Sequence, residues 1–70
     1  MTYRIQFSGL SESRVRTACG GMVGGDARVL NVWGAGNSDM TADIEIDADR
    51  EAQLRDELEG DDRVTTYAAV

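Results

Sequence analysis

Residues 41 to 48 read Thr-Ala-Asp-Ile-Glu-Ile-Asp-Ala, an alternation of apolar and polar side chains that only an extended strand can sort onto two faces. Ala42, Ile44, Ile46 and Ala48 define one face, and Thr41, Asp43, Glu45 and Asp47 the other. One side of this strand must be covered and the other left in water, the mark of an antiparallel sheet with a single packed face. The same period recurs at the start of the chain, where Tyr3, Ile5 and Phe7 alternate with Thr2, Arg4 and Gln6. A second half-buried strand is expected there.

Between these strands the periodicity changes. Ser11 suits a helix N-cap, and Leu10 and Val15 have the spacing of a hydrophobic staple. Val15, Ala18, Cys19 and Met22 then recur at helical spacing. Gly20 and Gly21 weaken that helix, which is expected to end early or to fray near Gly24 and Gly25. Arg28 to Trp33 is β-branched and apolar enough for another strand, with apolar groups on both faces. Gly34 to Asp39 is dense in turn formers and predicts a hairpin loop. After the alternating strand, Asp49 predicts the cap of a helix over 50–59, with Ala52, Leu54 and Leu58 packing inward. Glu51 and Arg55 stand at ion-pair spacing, and Gly60 is placed as the stop. Residues 63–70 complete the pattern as a Thr- and Val-containing strand.

The order is therefore βαββαβ: two strand-helix-strand halves joined by a hairpin, the α+β ferredoxin-like arrangement of a four-stranded antiparallel sheet with both helices on one face. Seventy residues make one such domain. Right-handed crossovers place the first and third strands side by side at the centre, which sets Arg4 near Asp43 or Glu45 on the uncovered face.

Composition removes several kinds of chemistry. The chain has no histidine, so histidine-based acid–base catalysis and nucleophile–histidine pairs are impossible. Cys19 is the only cysteine, which excludes a disulfide framework and the usual structural zinc sites. Helical spacing puts it on an apolar face, as a buried small hydrophobe. The first loop, Gly9-Leu10-Ser11-Glu12-Ser13, lacks the paired thiols with which metal-carrying domains of this topology hold an ion. It also lacks the arginine of the phosphate-cleaving ones, although Arg14 and Asn31 are present elsewhere. No catalytic residue, metal or cofactor is expected.

Thirteen carboxylates against seven arginines leave a net charge of -6, which repels phosphate backbones and anionic lipid. Tyr3 and Phe7 alternate toward the core, where they cannot stack on bases. Neither nucleic acid nor a membrane is an expected partner. No apolar run approaches the roughly 20 residues a spanning helix needs, and with no leader-like segment the domain is expected in the cytoplasm. The absence of lysine is the bias of a GC-rich genome, bacterial, archaeal or phage. A domain this small gains stability by association, so a homo-oligomer or a protein partner is favoured.

From Val32 onward a strand, a Gly-x-x-Asp turn over Gly36 to Asp39, the alternating strand through Ile46, a helix, Gly60, Val64 and a Thr-rich final strand succeed one another. In this half the chain resembles the effector-binding domain of the leucine-responsive (Lrp/AsnC) transcription regulators and, more loosely, the ACT domains of amino-acid metabolism. The resemblance implies an oligomeric sensor that dimerises through its sheet. It further implies an amino-acid-like small molecule bound near Gly36, Asn37 and Asp39. No helix-turn-helix is expected ahead of it, and the glycine-rich stretch from Gly20 to Gly25 departs from the family.

The residues themselves support a second expectation, a protein-interaction module such as a small phage- or host-encoded adaptor or inhibitor. Its partner would cover the open sheet face or an edge strand, on a surface made by Trp33, Arg4, Asp43 and Glu45. Trp33 beside a glycine-rich loop suits a binding surface and equally suits closing the edge of a small core.

Overall fold

In the computed structural model, residues 1–34 and 39–70 are described. The chain forms β1 (Thr2–Ser8), α1 (Glu12–Gly20), a 3-10 turn (Met22–Gly25), β2 (Arg28–Gly34), β3 (Asp39–Glu45), a second 3-10 turn (Ala48–Arg50), α2 (Glu51–Glu59) and β4 (Val64–Ala69). The strands form one antiparallel sheet in the order β2-β3-β1-β4. This is the ferredoxin-like fold that the periodicities predict, with β1 and β3 at the centre.

Alternation decides which face is covered. Tyr3, Ile5 and Phe7 of β1 and Met40, Ala42 and Ile44 of β3 are buried in one cluster with Val15 and Cys19 of α1 and Leu54 and Leu58 of α2. Both helices therefore pack on the same side. α1 begins where Ser11, in extended backbone, accepts the Arg14 N–H on its Oγ at 3.4 Å, and Leu10 and Val15 are both buried. It ends early, at Gly20, where the glycines begin.

Beyond α1 the glycine-rich stretch makes a left-handed corner. Val23, Gly24 and Gly25 have φ of 48°, 69° and 89°, three consecutive residues in the left-handed region. Two are glycines, for which the conformation carries no Cβ penalty. Val23 is a β-branched exception whose side chain is fully buried. Its strain is held in place from α2 and its lead-in: both Glu57 carboxylate oxygens accept the Val23 N–H at 3.1 Å, and Arg50 Nη2 donates to the Val23 carbonyl at 2.8 Å. Arg50 also reaches Asp26 at 2.6 Å, so one side chain ties the turn to the second helix.

The second half differs from expectation in four details. β3 ends at Glu45; Ile46 remains buried, but Ala48 is exposed and opens the 3-10 turn. Asp49 lies inside that turn and caps nothing, and α2 starts at Glu51. Ala52 faces water, because two residues from Leu54 is about 200° around a helix. Glu51 accepts a short hydrogen bond from the Tyr3 hydroxyl in place of the expected pair with Arg55. Gly60 ends the helix as expected, in right-handed backbone.

Two irregularities shape the open face. The β2–β3 register shifts between Val29 and Asn31, so Leu30 is an extra residue that bulges from the sheet. A second shift, between Gln6 and Phe7 of β1, leaves Thr65 as the extra residue on β4. Leu58, almost fully buried against the sheet, reports on the packing of α2. Leu58→Ala is expected to cost about 2 to 4 kcal/mol by opening a cavity, measured by thermal or urea denaturation. A negligible change would mean that α2 does not pack as described.

Candidate interaction face

The side of the sheet turned away from the helices is built from the outward residues of all four strands. β1 contributes Thr2, Arg4, Gln6 and Ser8, and β3 contributes Asp39, Thr41, Asp43 and Glu45, paired residue for residue. At its centre Arg4 and Asp43 stand directly opposite each other, as the strand order requires. Arg4 Nε donates to Asp43 Oδ1 at 2.9 Å and Nη2 to Oδ2 at 3.1 Å, a two-pronged pair. The hydrogen bond and then the charge of Asp43 raise the Arg4 pKa above its ordinary value.

An exposed pair of this kind adds little stability. Its effect is positional: it holds the guanidinium carbon over the Trp33 ring, 5.2 Å from the centroid. Trp33, Arg4 and Asp43 thus form one cluster. Trp33 stays 39% exposed at the end of β2. Glu45 shares the face but lies farther along β3, opposite Thr2 and Arg28 and outside the cluster.

Leu30 is the residue that sequence reasoning missed. It is 45% exposed on the bulge, where the Asn31 side-chain oxygen accepts the Val32 N–H at 3.0 Å. The apolar groups on both sides of β2 hinted at this, but a bulge depends on pairing with β3. On the opposite edge β4 is small-featured. Thr66 Oγ1 donates to the Gln6 side chain at 3.0 Å, Thr65 Oγ1 donates to the Gln6 carbonyl at 3.2 Å, and Ala68 is exposed.

Of the small-molecule site, Gly36 and Asn37 lie outside the described residues. Asp39 begins β3, exposed and opposite Ser8. Next to the loop, Gly34 is obligatory: a Cβ there would collide with the Asp39 carbonyl and Met40. If the amino-acid site exists, Asp39→Ala is expected to abolish binding of amino acids in calorimetric titration while leaving the melting temperature unchanged; unaltered affinity would remove the site.

The helix side carries a shallow cleft of about 890 Å³ where the ends of α1 and α2 meet the turn before β4. Two of its four acidic groups have structural duties: Glu57 holds Val23, and Asp61 accepts from Arg63 N and Nε at 2.9 Å and from Nη2 at 2.8 Å. Those Arg63 hydrogen bonds lower the Asp61 pKa. Among the described residues no three His, Cys, Asp or Glu side chains are grouped to hold a metal, and no helix is long and apolar enough to cross a membrane. Comparison with family models, curated proteins and solved structures returns no significant match.

Cys19 is fully buried, and loss of solvation pushes its thiol up to about 11. The folded thiol stays protonated through neutral pH, and because its folded pKa is raised, this contribution to stability is lost as pH climbs toward that value. At pH 8 a disulfide reagent should leave Cys19 unmodified in the native domain and label it on denaturation. Rapid labelling of native protein would contradict its placement in the core.

Proposed function

We propose that this chain is a non-catalytic binding domain whose working surface is the open sheet face, docking another protein surface there. The observation that carries the reading is the charge of that face. In a chain of net charge -6, the outward residues of the four strands hold two arginines, Arg4 and Arg28, and three carboxylates, Asp39, Asp43 and Glu45. The remaining net charge of -5 lies on the helix side and the loops.

A near-neutral surface with an exposed tryptophan under an arginine has the makeup of an interface centre, where aromatic residues and arginine are enriched and unpaired charge is scarce. Trp33 and Leu30 serve as apolar anchors, and the Arg4–Asp43 pair supplies donors and acceptors already oriented before docking. The lone free cysteine, buried in the core, fits a reducing cytoplasm.

Affinity capture with three baits tests the reading: the wild-type chain, Trp33→Asp on the open face, and Arg16→Asp on α1. A species retained by wild type and Arg16→Asp but lost from Trp33→Asp is the expected result. Equal retention on all three would show that the sheet face is not the working surface.

A further inference from the structure

We infer that the cleft on the helix side takes lysine or arginine side chains from a basic segment of a partner protein. It is a second binding surface, on the other side of the sheet from Trp33, and it does not rest on the docking reading above.

The two walls of the cleft differ in kind. The wall formed by the end of α1 and the residues just after it carries no charge; Ala18 is half-buried there and Met22 is buried. The facing wall, from the last turn of α2 and the turn before β4, brings four carboxylates, Asp56, Glu57, Asp61 and Asp62, against the single arginine Arg63. That arginine is already paired with Asp61. Asp56 and Asp62 are exposed and pair with no arginine among the described residues.

The helix ends add to the same field. Both α1 and α2 terminate at the cleft, and neither has a basic residue in its last turn. The partial negative charge of their final carbonyls therefore has no offsetting side chain from the helices themselves.

Such a cleft selects its occupant. An anion is repelled. A bare metal ion leaves the apolar wall unused, and among the described residues no three carboxylates are grouped to hold one. Lysine and arginine match both walls: the aliphatic stem packs on Ala18 and Met22 while the cationic head reaches Asp56 and Asp62. At about 890 Å³ the cleft has room for more than one such side chain, since pockets for whole ligands run from about 300 to 1,000 Å³. A free small molecule needs most of its surface buried, which a shallow cleft does not provide. A side chain carried on a partner has no such need, because the partner makes further contacts beyond the rim.

The acidic wall is set before the occupant arrives. Glu57 is held by the Val23 N–H and Asp61 by Arg63, so little ordering remains to be done on binding. The excess negative charge of the helix side draws a basic segment toward it.

Fluorescence anisotropy of the full chain with a labelled peptide of alternating arginine and alanine tests the inference. Binding should saturate and should weaken as salt is added. Asp56→Asn combined with Asp62→Asn should weaken it about 10-fold. Asp39→Asn combined with Glu45→Gln removes the same charge from the open face and should change it less than about 2-fold. Thr17→Arg, which sets a cation of the chain's own in the cleft, should block the peptide while circular dichroism stays that of wild type. In NMR titration the peptide should shift the amide resonances of Gly21 and Gly60. Equal weakening by the two double variants, or indifference to Thr17→Arg, would mean diffuse attraction to an acidic chain and would overturn the inference. No binding at low salt would overturn it too, as would spermine binding in the cleft more tightly than the peptide, which would make the site one for a free polyamine.

Discussion

A four-stranded sheet has two faces, and this chain has helices for one. That shortage governs the rest of the molecule. The single core forms where Ile5, Phe7, Ala42 and Ile44 meet Val15, Cys19, Leu54 and Leu58, and every side chain of opposite parity on β1 and β3 is turned to the other side. The central pair of strands thus determines both what is buried and what is presented. Arg4 and Asp43 are partners because Ile5 pairs with Ala42 and Tyr3 with Ile44.

Presentation on a sheet differs from presentation on a loop. The positions of Trp33, Arg4 and Asp43 are set by backbone hydrogen bonding across β2, β3 and β1, so the cluster is as rigid as the sheet. A guanidinium fixed by two hydrogen bonds and laid against an indole has little conformational freedom left to lose when a partner arrives. Of the carboxylates on this face, Asp43 is paired with Arg4, while Asp39 and Glu45 are exposed opposite Ser8 and Thr2.

The rest of the chain serves to hold the second helix against the first half. The left-handed turn at Val23 to Gly25 is a tight corner between α1 and β2, and it depends on Glu57 and Arg50 from the other end of the sequence. The glycines looked like a weak helix end in the sequence, since residue types report a need for positive φ but not the side chains that enforce it. Similar limits apply to Asp49, whose capping residue type was overridden by a 3-10 turn, and to Ala52, whose apolar character carried no information about its angle around α2.

The element order, the buried parity of β1 and β3, the N-cap at Ser11 and the neighbourhood of Arg4 and Asp43 were determined by the sequence alone. They arise from period-two and period-3.6 patterning together with the handedness of crossovers, which are local or topological rules. Tertiary structure decided the Leu30 bulge, the surface position of Trp33, the clamp on Val23 and the exchange of Glu51 from Arg55 to Tyr3. Each depends on the distance between residues far apart in the chain, or on how many residues one strand sets against its neighbour, and such quantities exist only once the sheet has closed and α2 has packed on it.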